Sequence, residues 1–160
     1  MTDALFVLTL ATALGSALAA GAFYAFSTFI MAALGRVPAP EGIRAMQQIN
    51  ITVINPWFMT AVFGTGLAGV VLAVVALADW DGGYGPYLLI AAALYVVGCV
   101  GVTMAFNVPR NNALANAEPE SAEAATLWER YLVEWTAWNT VRTIASLAAT
   151  GLLIGAVAAG

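Results

Sequence analysis

The chain contains no histidine and no lysine, a single cysteine, and few charges: five arginines against nine acids in 160 residues. Each shortage closes a class of function. With no imidazole and with Cys99 alone, an intramolecular disulfide is impossible, and no metal centre of the cysteine or histidine type is expected. A net charge of −4 and a pI near 4.4 leave no basic face for nucleic acid. Charged residues make up 9% of the chain, where a soluble domain carries about 25%. With 62% hydrophobic residues and a mean hydropathy of +0.88, the composition is that of a protein in contact with the lipid bilayer. Cys99, inside an apolar run, reads as a small buried residue.

What is present is four long apolar runs. We expect an all-α, integral membrane four-helix bundle forming one domain over 1–160, with spans near 5–34, 57–78, 87–106 and 139–159. The first run exceeds the roughly 30 Å hydrocarbon core, so it must tilt or emerge. Ala17-Leu18-Ala19 resembles a signal-peptidase site. However, the amino-terminal segment carries Asp3 and no basic residue, and the apolar run continues past the candidate cut, so an uncleaved span is expected. Small residues four apart (Gly15 and Ala19, Gly101 and Ala105, Gly151 and Gly155) predict close helix contacts within the bundle or between copies, so a homo-oligomer is compatible with the chain. Asp79 to Pro86 reads as a polar turn, with Trp80, Tyr84 and Tyr87 as interface anchors.

Two connectors carry most of the polarity. After Pro38-Ala39-Pro40 a short helix is expected in which Ile43, Gln47, Asn50, Ile54 and Trp57 share a face, either packed on protein or lying at headgroup depth. Asn55-Pro56 suits a helix break or cap before the second span. A longer connector follows the third span. Glu118-Pro119-Glu120-Ser121 reads there as a helix start, leading into Tyr131 to Arg142. At about 100° per residue, Tyr131, Glu134, Trp135, Trp138 and Arg142 form one stripe, with Asn139 just outside it. All five arginines lie in or beside the two long connectors, so these are expected to be cytoplasmic and both termini outside.

Antiparallel spans bring both long connectors to one face. The candidate ligand-contacting residues are therefore Gln47, Asn50, Asn55, Asn107, Asn111, Trp135, Trp138 and Asn139, with Glu134 and Arg142 as candidate catalytic groups. Polar groups at membrane depth are costly unless paired, and such clusters mark cavities or pathways. Helix caps, snorkelling arginines and interface tryptophans supply the same residue types for structural reasons.

The segments GAFYAFSTFIMAAL, GIRAMQQIN with NPWFM, NVPRNNALA and WERYLVEWTAWNTVRT, in this order, resemble the family of small four-span membrane proteins that includes the anthrone oxygenases. The resemblance implies oxidation of an anthrone, a polycyclic phenolic compound, to its quinone by O2, without metal or flavin and so with no cofactor. In that chemistry Trp135 and Trp138 would stack the ring. Arg142, or Asn50, Asn107 and Asn139, would hold the oxyanion, and Glu134 would be the base or else the partner of an arginine. The chain departs from the family pattern at Thr140, where histidine is common, and at Arg110, where leucine is common. A non-enzymatic module binding a lipid, a quinone-like ligand or a membrane protein is the competing expectation.

Overall fold

The computed structural model describes residues 1–78 and 83–160; the expected turn residues Asp79 to Gly82, including Trp80, lie outside that range. The described residues form five helices: α1 (Asp3–Leu34), α2 (Ala39–Thr52), α3 (Pro56–Ala78), α4 (Gly85–Ala115) and α5 (Ala122–Ala159). All but α2 are long and apolar enough to cross a membrane.

The breaks between helices follow from local chemistry. Pro38 and Pro40 flank the start of α2. Asn55, in extended backbone, accepts the Phe58 amide at 3.0 Å, and Pro56 opens α3 where no donor is needed. Ser121 caps α5 by accepting the Ala124 amide at 3.1 Å.

The four long helices form a ring in which α1 packs on α3, α3 on α4, α4 on α5, and α5 on α1. The α1–α5 seam carries small buried residues, among them Ser16 and Ala20 on α1 and Ser146 and Ala149 on α5, while Ala145 lies against Gly98 of α4. Ser16 ties it by donating to the Ser146 carbonyl at 2.9 Å. This close approach of backbones is the packing mode open to helices that gain nothing from hiding apolar surface in lipid. Gly15 belongs to a different seam, because a Cβ there would collide with Thr65 of α3. The Gly151 and Gly155 pair does not form one contact face: Gly155 lies against Tyr87, and Gly151 faces open space.

At 38 residues, α5 is about 57 Å long, far more than a bilayer core requires. Its amino-terminal half continues past the ring, where Trp128, Tyr131 and Trp135 join Ile43 and Met46 of α2 and Leu114 of α4 in a second buried cluster. Thus α2 packs on protein: Gln47 donates to the Leu114 and Ala117 carbonyls at 2.9 and 3.1 Å, satisfying acceptors that the end of α4 leaves open. The face expected to continue from Ile43 to Trp57 ends at Asn50. The break at Val53–Asn55 turns Ile54 outward, 72% exposed, and Trp57 outward, 88% exposed.

Three of the long helices are not regular. Wider π-helical turns interrupt α1 at Phe26–Ile30, α3 at Thr60–Gly64, and α4 at Val96–Gly101 and Thr103–Asn107. The last ends two residues before Pro109, whose missing N–H disturbs the hydrogen-bond ladder.

A candidate ligand cavity between two cores

A cavity of about 270 Å³ lies where the transmembrane ring meets the outer cluster. Its walls come from every helix: Phe23 and Phe26 of α1, Met46 and Asn50 of α2, Phe58 and Phe63 of α3, Thr103 and Asn111 of α4, and Trp135 and Arg142 of α5. Each helix with π-helical turns has one beside it. A π turn leaves carbonyls without their usual partner, and side chains supply the donors here. The Tyr95 hydroxyl donates toward the Ala61 and Val62 carbonyls at 3.3 and 3.2 Å.

Arg142 is the centre of the site. It is only 6% exposed, yet no carboxylate pairs with it; the ion pairs among the described residues are Arg44–Glu120 and Arg110–Glu134. Its Nη1 donates to Thr103 Oγ1 at 3.1 Å and its Nη2 to Asn139 Oδ1 at 2.6 Å, while Nε has no partner. A guanidinium has five N–H donors, so most of this one is uncommitted. The Phe23 ring lies 4.1 Å from its central carbon and the Trp135 ring 5.4 Å, so aromatic faces supply part of the compensation a counterion would give.

Neighbouring amides hold this arrangement. Asn139 is completely buried; its Nδ2 donates to the Phe23 carbonyl and to Ser27 Oγ, both at 2.7 Å, while its Oδ1 receives Arg142. Asn111 Oδ1 accepts from Trp135 Nε1 at 2.7 Å and from the Tyr131 hydroxyl at 2.9 Å, which orients the aromatic wall. Asn50 borders the cavity and reaches the Tyr131 oxygen at 3.5 Å. Asn107 is buried behind the wall, donating to the Trp135 carbonyl at 3.2 Å with its own Oδ1 unpartnered.

The remaining residues picked out from sequence stand elsewhere. Gln47 and Asn55 serve the α2–α4 junction and the α3 cap. Trp138 stacks on Phe106 at 3.6 Å between centroids, outside the cavity. Glu134 faces away from Arg142 and receives Arg110, Nη2 to Oε2 at 2.7 Å, at the protein surface. Thr140 donates to Ser27 Oγ at 3.0 Å or to the Thr136 carbonyl at 2.9 Å. Sequence reasoning missed Phe23, Phe58, Phe63 and Thr103. Nothing local distinguishes them from other apolar or helix-bonding residues of a span.

Fold and site together define a multi-pass membrane protein with a small aromatic-walled cavity built on a buried cation. A sequence model of the Anthrone oxygenase family matches residues 56–152, and the chain belongs to that family. No curated protein and no solved structure matches it. The matched range holds α3, α4 and all of α5 through the cavity; Phe23, Phe26, Met46 and Asn50 lie before it.

Proposed function

We propose that the protein oxygenates an anthrone-like aromatic bound in this cavity, with Arg142 stabilising the substrate's enolate oxygen. The observation that carries this reading is the buried guanidinium without a carboxylate, open to a cavity whose walls are aromatic. The enolate is electron-rich at the ring carbon opposite its oxygen. That carbon gives an electron to O2, and recombination forms a carbon–oxygen bond and a peroxide. Loss of the remaining hydrogen with cleavage of the O–O bond leaves a quinone carbonyl and one water. Both oxygen atoms are accounted for, and the substrate supplies all the electrons.

Among the described residues no carboxylate or imidazole lines the cavity, so no side chain there takes the first proton; it is given up to water at the membrane interface, and the role of Arg142 is to make its loss easier. Glu134, engaged with Arg110 at the surface, takes no part. With anthrone in proteoliposomes, O2 uptake should match quinone formation one to one. Arg142→Gln should lower kcat/KM on the order of 10²-fold, the usual cost of removing an oxyanion donor. The rate should rise with pH as the bound substrate ionises. The Gln variant should move that rise upward by about one to two pH units, the equivalent of a charge-assisted hydrogen bond. Quinone formation that is absent, or indifferent to Arg142, rules out the reaction.

The same absence of a base beside the cavity favours a second reading, a module that binds an anionic quinone or lipid-like acid without turnover. Binding that depends on Arg142 without O2 uptake identifies it.

A further inference from the structure

We infer that the cavity is loaded from the bilayer, through a gap between α3 and α4, by aromatic acids dissolved in the lipid. The inference rests on the reading of the cavity as a ligand site, but not on the oxygenase reaction. The two helices pack closely where Thr65–Ala78 meets Gly85–Gly101: Gly69 lies against Ala92, and Gly66 against Val100. Toward the arginine-bearing end they part, and Pro56–Gly64 has no comparable packing against Thr103–Ala115. The cavity's lining beside this gap is partly exposed: Phe63 on α3 is 38% exposed, Val108 on α4 is half-buried, and Ile54, just before α3, is 72% exposed. These three would form the edges of the entrance.

On the connector side the cavity is roofed. Met46 and Asn50 of α2 lie over it, and Gln47 bolts α2 to the end of α4 through two carbonyls. The open edge is thus apolar and belongs to the spanning part of α3, where the neighbour is lipid rather than water. A planar apolar ring crosses such an edge without desolvation cost. Its acidic oxygen then meets Arg142, which Thr103 on the α4 wall helps to hold.

The test uses 1,2-dihydroxyanthraquinone, an acidic aromatic already oxidised, as a probe in proteoliposomes. Its binding is read as the part of tryptophan quenching lost in Arg142→Gln. Phe63→Cys and Val108→Cys, combined, are joined by a short reducible bis-thiosulfonate linker; Cys99 is fully buried and out of reach. With the linker in place, quenching should stay below a tenth of that seen with either single variant, and reductant should restore it. When the probe is loaded first and the linker added second, dilution into excess vesicles should leave the probe bound at least tenfold longer. Full loading of the linked protein overturns the inference, as does loss of a preloaded probe at the unlinked rate. No Arg142-dependent quenching in the unlinked protein overturns it together with the cavity reading. Binding and trapping without anthrone oxidation uphold it and overturn only the reaction.

Discussion

Asn139 decides what Arg142 can do. A buried guanidinium beside an unpaired carboxylate would be neutralised and shut to an anionic ligand, whereas an amide fixes its position and leaves its charge available. The price is that Asn139 must itself be satisfied on both sides, and it is: Phe23 and Ser27 of α1 take its donor, and Arg142 its acceptor. Asn139→Leu, of similar volume, should therefore destabilise the protein by about 1–3 kcal/mol, the cost of stranding buried polar groups, and should abolish probe binding. Glu134→Gln should behave differently. The Arg110–Glu134 pair lies at the surface, so its loss should cost under about 1 kcal/mol and leave kcat/KM for anthrone within about twofold. Detergent unfolding curves paired with O2 uptake check both variants. A Glu134→Gln enzyme as inactive as Arg142→Gln would return that carboxylate to the mechanism. Thr140 faces α1 through Ser27 and lies beside the Asn139 network.

Among the elements, α2 and the outer half of α5 make the cavity deeper than a four-helix ring alone would. Their contact depends on Gly42, where a Cβ would come within 2.8 Å of the Leu34 carbonyl and 2.9 Å of the Trp128 ring. Gly42→Val should push α2 off α5 and cost about 1–3 kcal/mol, as overpacking does. Faster proteolysis within Ala39–Thr52, with the spans still protected, is the expected signature. Equal protection of α2 in both proteins would show that the roof tolerates the change. The stripe on α5 shows how far periodicity reaches. Tyr131, Trp135 and Arg142 were legible as one face because α5 is a regular helix. Its buried line runs through Asn139, however, and passes beside Glu134 and Trp138. Those two lie roughly 60–100° from its centre at about 100° per residue. In α1, α3 and α4 the π turns each insert a residue into the phase, which no hydropathy pattern records.

At the scale of the molecule, the ring sets both connectors at one end and both termini at the other, where the Met1 amine approaches the Gly160 carbonyl at 3.4 Å. The arginine-bearing end is proposed to be cytoplasmic. In intact cells an impermeant thiol reagent should label Asp3→Cys and spare Glu118→Cys, both exposed positions; the opposite pattern inverts the topology.

The sequence by itself determined the class, the presence of four long apolar helices, the helix breaks at Pro38–Pro40 and Asn55-Pro56, and the family. All of these follow from local backbone chemistry, from the cost of moving charge into lipid, or from residue order along the chain. Only the tertiary structure decided which polar residues share a site. Arg142 remains without a carboxylate because Glu134 turns to Arg110, and Gln47 serves α4 instead of a ligand. Phe23 and Thr103 become cavity walls because the packing of α1 and α4 on α5 brings them against Arg142. Pairing depends on rotational phase and depth across helices, and these are settled only when all five pack.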